Sequence, residues 1–270
     1  MRVKPAIDAA PVAFRPGFAE DELGKPSLSQ AIGNPRSLLS FLALVLAAAS
    51  WHPANELIHW LYPDRPIVPD LLFTLLPDLP WLSYLSEPLI AGSIAILLLQ
   101  AFWIDRRRLP YYFFAIAALY FSRAFLMILT PLGRPTGNLS SYGIFESTGL
   151  LQHGMFPSGH QMLACMAYLL VDGIATRRLK RLALALALAQ ALVLMLSRGH
   201  YSIDIIGAAL VSWFIAERMV KIEQYCSIEP VATERTDKTP RKPLSFTRCK
   251  QKIMFFLALN KQPCKSHRRP

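Results

Sequence analysis

Acidic side chains are scarce in this 270-residue chain, 18 against 29 lysines and arginines, for a net charge of +11. Cysteine is scarce too. Cys165 falls inside an apolar run, and Cys226, Cys249 and Cys264 fall in a basic C-terminal stretch. That placement excludes a disulfide framework and leaves the tail cysteines as reduced thiols or palmitoylation sites. No cluster of His, Asp and Glu reads as a metal site, so no metal or cofactor is expected. Charge of either sign is thin, at 17% of residues against 53% hydrophobic, which excludes an ordinary soluble domain and points to the membrane class. A cleavable signal peptide is not expected either. The first 35 residues are polar with interspersed proline, and the first apolar run starts only near Leu38. That run is read as an anchor that stays.

What the chain has in abundance is apolar sequence in blocks. Six of them, near 37–60, 83–104, 110–130, 160–176, 181–197 and 201–220, approach the roughly 20 residues that a helix needs to cross a bilayer. The expected fold is all-α, a polytopic membrane protein with a bundle of six transmembrane helices. The expected organisation is a cytosolic N-terminal arm over 1–36, a six-span catalytic domain over 37–221 and a basic cytosolic tail over 222–270.

The basic residues orient this bundle. Arg106, Arg107 and Arg108 form one cluster, and Arg177, Arg178, Lys180 and Arg181 a second. Arg218, Lys221 and the tail form a third. Six crossings put all three on one side, which the positive-inside rule makes cytosolic, together with both termini. The charge therefore reports topology, and no nucleic-acid partner is expected. The opposite, exoplasmic face (periplasmic, lumenal or extracellular) carries Arg65, Arg134 and Arg198. Its first loop, 61–82, holds Pro63, Pro66, Pro69, Pro77 and Pro80, too many for a regular helix. Its apolar residues are expected to lie along the membrane surface. The second loop spans 131–159, and the third is the tight turn Ser197 to Gly199. In the tail, Ile253 to Leu259 is too short to span. It either rests on anionic lipid or belongs to a disordered tail.

Two histidine motifs stand at the start of apolar runs on the expected exoplasmic face. The first is Phe156-Pro157-Ser158-Gly159-His160, and the second runs Ser197-Arg198-Gly199-His200-Tyr201-Ser202-Ile203-Asp204. His200 and Asp204 are four residues apart and share a helix face. A carboxylate there can hold one imidazole nitrogen and leave the other to attack phosphorus. The alternative is a histidine that caps the helix beside an aspartate neutralising Arg198. Ser158 is a good N-cap, Gly159 allows close approach of a ligand, and the helix N-terminus favours an anion such as phosphate. His160 could then protonate a departing oxygen. The alternative there is a capped helix with an interfacial histidine. Arg123 lies within the third span, where an arginine is expensive and marks a functional site. It can bind phosphate bidentately or snorkel to the headgroups. Arg134 can join that clamp or stay solvated.

Phe156 to His160 and Ser197 to Asp204 resemble the type 2 phosphatidic-acid phosphatase superfamily, and more closely its sphingomyelin synthase branch. Pro66 to Phe73 looks like that branch's first motif. Arg123 through Thr130-Pro131-Leu132 has the spacing of its second, Ser158-Gly159-His160 matches the third, and His200 to Asp204 the fourth. The phosphatases place a lysine seven residues before an Arg-Pro pair. Here Arg134-Pro135 is present, and that position is Met127. The missing lysine favours a phosphodiester headgroup over a doubly charged phosphate monoester.

The resemblance implies a catalytic triad of His160, His200 and Asp204. His200 would be the nucleophile, Asp204 its orienting partner and His160 the acid and then base. Ser158, Gly159, Arg123, Arg198, Arg134 and Tyr201 would line the substrate site. No metal or cofactor is implied. The expected partners are a phospholipid donor and a lipid alcohol acceptor, by resemblance ceramide, within the membrane; homo-oligomerisation stays open. Two other readings compete, namely a phosphatase or phospholipase C-like hydrolase with water as acceptor, and a non-catalytic headgroup-binding membrane protein.

Overall fold

A computed structural model describes residues 26–135, 154–172 and 176–226. The expectations placed on 1–25, on most of the second loop and on the tail, including Ile253 to Leu259 and its cysteines, lie outside those residues. All regular structure among the described residues is helical, without a strand.

The first helix lies within the expected N-terminal arm. α1 (Leu28–Gly33) opens on a reciprocal capping box between Ser27 and Gln30, and its Ala31 is buried in the main core. α2 (Pro35–Ala49) starts with proline at its first turn and Asn34 as cap. α3 (Trp51–Leu61) follows after the single residue Ser50. The break has a local cause. Pro53 lacks an N–H, and its ring would clash with the carbonyl four residues back, at Ala49. The first predicted span is thus two helices in series.

In the proline-rich loop, regular helix is limited to one short piece, α4 (Leu71–Leu75), capped by Asp70. A 3₁₀ turn over Pro80–Leu85 leads into α5 (Ser86–Leu99), which ends in a π turn over Gln100–Ile104. α6 (Leu109–Leu129) runs 21 residues without interruption. α7 (Gly159–Leu170), α8 (Arg177–Leu196) and α9 (Ser202–Cys226) complete the order.

Four stretches among the described residues are long and apolar enough to cross a membrane: Pro35–Leu61, Pro80–Ile104, Arg106–Leu129 and Arg177–Leu196. The chain is a membrane protein on that ground. The fourth predicted span, 160–176, is represented by α7, which has 12 residues and gives way to extended backbone at Val171. At 1.5 Å per residue it covers about 18 Å of a hydrocarbon core near 30 Å. The sixth, α9, is 25 residues long, but its apolar stretch is bounded by Asp204 and Glu217.

α7 is nonetheless the centre of the bundle. Gln161, Met162, Leu163, Ala164, Met166, Ala167 and Leu170 are all buried, because α5, α6, α8 and α9 surround the helix. A helix that is apolar nearly all round belongs in such a position. The main core joins Tyr112, Ala115 and Leu119 of α6 to Met162 and Met166 of α7 and Ala208 and Ile215 of α9. Ser212 of α9 donates across the contact to the Met162 carbonyl at 3.0 Å, the kind of small polar residue that lets membrane helices approach. Leu38, Leu42 and Leu46 on α2, Phe121 and Phe125 on α6, and Leu188 and Leu192 on α8 face outward, as a lipid environment permits.

Candidate active site

The site is built where three helix ends meet. α8 closes with a Schellman arrangement: the Gly199 N–H reaches the Leu194 carbonyl at 2.9 Å and the Arg198 N–H the Met195 carbonyl at 3.2 Å. The residue in the left-handed position of such a cap is usually glycine, and here it is Arg198, at φ 53°. A β-carbon in that region costs roughly 1–2 kcal/mol, so the side chain at 198 has a use that glycine could not serve.

His200 and Asp204 follow. The Asp204 side chain is fully buried, and its Oδ2 lies 3.1 Å from His200 Nδ1. The same oxygen accepts the Tyr201 N–H at 3.1 Å. One carboxylate oxygen thus holds the imidazole and the backbone beside it. With Nδ1–H directed at the aspartate, Nε2 carries the lone pair. Asp204 Oδ1 is buried without a hydrogen-bond partner among the described residues, which leaves this carboxylate capacity for a further donor.

α7 presents its N-terminus to this turn. The Ser158 N–H donates to the Asp204 carbonyl at 3.3 Å, which ties the start of α7 to the start of α9. The buried Ser158 hydroxyl caps α7 by accepting the Gln161 N–H at 3.4 Å. His160 is the second residue of α7, half-buried, and close enough to His200 and Arg123 to feel their charges. Arg123 comes up from α6, its Nε donating to the Pro157 carbonyl at 3.3 Å and a terminal nitrogen to the Gly154 carbonyl at 3.4 Å. It lies within electrostatic reach of Asp204. Gly159 makes this possible, since a Cβ there would stand 2.8 Å from Arg123 Nε. Gly207 on α9 serves the same end, with Phe156 occupying the space where its Cβ would be, 2.5 Å from the ring.

The structure therefore brings together His160, His200, Asp204, Ser158, Gly159 and Arg123. The other sequence candidates are placed differently. Tyr201 is buried, with its hydroxyl accepting the Val68 N–H at 3.4 Å and its ring 5.9 Å from that of Phe73. Arg198 turns to the first loop, 3.4 Å from Asp78 and 3.4 Å from the Phe73 carbonyl. Arg134 is exposed and near Arg65, whose pKa is lowered by burial and then by the Arg134 charge. Met127, where the phosphatases have lysine, is fully buried with Ala54, Ile58 and Ala124. Its side chain fills the space beside Gly154. A lysine there would bury its charge among apolar groups, at high cost.

Three residues escaped the sequence reading. Asp70 bonds the backbone of the His200 turn, Asp78 pairs with Arg198, and Asn55 accepts the Gly154 N–H at 3.1 Å. Asn55 had a legible signal, a lone amide inside an apolar span; Asp70 lies in the Pro66 to Phe73 motif with no role assigned to it there, and Asp78 had only its place in a proline-rich loop. Among the described residues, no group of three or more His, Cys, Asp or Glu is arranged to hold a metal ion.

The family model AtPDCT1/2 matches residues 79–219, a range that contains Arg123, His160, His200 and Asp204. The chain is also 30% identical over 218 residues, 68% of its length, to "Phosphatidylcholine:ceramide cholinephosphotransferase 1" of Caenorhabditis elegans. It spans 45% of that relative's own length.

Proposed function

The chain belongs to the AtPDCT1/2 family, and from that membership we propose that it moves phosphocholine from phosphatidylcholine to a second lipid alcohol through a phospho-histidine. The observation that carries the reading is the buried His200–Asp204 pair, 3.1 Å apart, set against the capped N-terminus of α7 that bears His160.

His200 Nε2 attacks the phosphorus of the donor. The bond to the diacylglycerol oxygen breaks as the P–N bond forms, and His160 gives that oxygen its proton. Asp204 stabilises the charge that develops on the His200 ring. The acceptor alcohol then attacks phosphorus while His160 takes its proton. The P–N bond breaks, and the new phosphodiester leaves with His200 restored. This is double displacement with one group as acid and then base. Arg123, at the N-terminus of α7, supplies a cation and a fork of donors for the non-bridging oxygens.

The relative's name specifies ceramide, a lipid alcohol with two long chains, and we assign ceramide as the acceptor on that ground. Six crossings, cytosolic termini and an exoplasmic site complete the proposal; the three clusters of basic residues support them.

The experiment is an assay of the purified full-length chain in mixed micelles of phosphatidylcholine with labelled ceramide or labelled diacylglycerol, with His200→Ala run beside it. A choline-bearing product of labelled ceramide, made by the wild type alone, is expected. Labelled phosphatidylcholine instead would reassign the acceptor. Free phosphocholine with both alcohols untouched would make the protein a hydrolase.

A further inference from the structure

We propose that residues 68–79 form a clasp that positions His200, with Asp70 and Arg198 as its two positioning residues. The inference rests on the reading of His200 as the nucleophile.

Asp70 serves two helix starts at once. Its Oδ1 accepts the Leu72 N–H at 2.9 Å, capping its own helix α4. Its Oδ2 accepts the Ser202 N–H at 2.6 Å, at the first residue of α9. The preceding N–H, of Tyr201, is taken by Asp204. Two aspartates from distant parts of the chain therefore hold two consecutive amides directly after His200. A helix leaves its first N–H groups without internal partners, and Asp70 supplies one from outside. The Tyr201 hydroxyl, bonded to the Val68 N–H, extends the same seam.

The second anchor lies on the other side of His200. Arg198 meets Asp78 through Nε and the Phe73 carbonyl through a terminal nitrogen, each at 3.4 Å, and its guanidinium stands 5.7 Å from the Phe73 ring centroid. The Leu79 N–H donates to the Leu196 carbonyl at 2.8 Å. Arg198 occupies the left-handed cap position that glycine fills most easily, and every partner of its side chain named here belongs to the loop. His200 thus sits between two points of attachment, and its orientation depends on a segment more than a hundred residues earlier.

The test uses the full-length chain in micelles and the variants Asp70→Ala, Asp70→Asn and Arg198→Gly. Three quantities are measured: transfer kinetics with phosphatidylcholine and ceramide, thermal unfolding, and amide hydrogen exchange across residues 199–205. Misplacement by an ångström can cost about 100-fold. Asp70→Ala is therefore expected to lower kcat by about 10- to 100-fold with KM nearly unchanged, and to speed exchange across 199–205. Asp70→Asn keeps one acceptor oxygen and falls between. Arg198→Gly shifts kcat and exchange the same way without loss of Tm, because glycine suits the cap. If Asp70→Ala fails to fold, the other two variants carry the test. Unchanged kcat, unchanged exchange, or a rise in KM with kcat intact overturns the clasp; the last result would make Arg198 a headgroup ligand. If the wild type transfers nothing while the variants exchange faster at 199–205, the functional reading fails and the clasp stands.

Discussion

His160 and His200 stand at helix ends of opposite kinds. His160 is the second residue of α7, at the positive end of the helix dipole and beside Arg123. His200 lies past the C-terminus of α8, in a turn held by a carboxylate, consecutive backbone bonds and a loop from elsewhere. The first is half-buried and the second nearly wholly so. The contrast matches what each proposed role requires. A proton donor and acceptor works beside an anion, which a helix N-terminus attracts. A nucleophile needs one ring nitrogen fixed so that the other points along one line.

The most severe way to break this contrast is His200→Ala. Removing the proposed nucleophile is expected to cost on the order of 10⁶-fold in kcat and to abolish trapping of a phospho-enzyme from donor alone. A trapped phospho-enzyme in the variant would move the nucleophile elsewhere. Asp204→Asn is expected next, at about 10⁴-fold in kcat, because the amide keeps one acceptor oxygen but no longer supplies the negative charge that holds the His200 tautomer and stabilises the developing imidazolium. Full activity would mean that the Asp204 charge plays no part in the reaction. His160→Ala is expected to lose about 10²–10⁴-fold in first-step release of diacylglycerol from phosphatidylcholine, and far less in first-step release of p-nitrophenol from p-nitrophenyl phosphocholine, whose leaving group needs no proton. Equal losses on both donors would remove His160 from the acid role, while His200→Ala is expected to fail on both. The smallest effect is structural. Gly207→Ala pushes a methyl toward Phe156 at 2.5 Å and is expected to destabilise by about 1–3 kcal/mol, read as a lowered Tm. An unchanged Tm would show that Phe156 has room to move.

Much of the fold was legible. α6 ends within a residue of its predicted bounds, because a long, mostly apolar run between Arg108 and Pro131 suits a single membrane-crossing helix. The break at Ser50 was equally available from Pro53 and went unread, since hydropathy averages over a proline. The shortness of α7 had a signal in Asp172 and Gly173, directly after its boundary at Val171, but its central place makes its composition resemble that of a full span. At the site, Ser158, Gly159, His160, His200 and Asp204 lie in two short motifs, so local spacing was enough to pair them. Arg198 was read toward substrate because it adjoins His200, whereas its side chain meets Asp78.

The sequence by itself determined the helical class, the apolar blocks, the placement of basic residues and the two histidine turns. Each depends on residues a few positions apart, where backbone geometry alone sets who can meet. Only the tertiary structure decided that α7 is the buried centre, that Arg123 reaches the Pro157 carbonyl beside Gly159, and that Asp70 and Asp78 close on the His200 turn. Those contacts join segments tens to more than a hundred residues apart. Their partners are chosen by how the helices pack, and no local pattern of residue types encodes that choice.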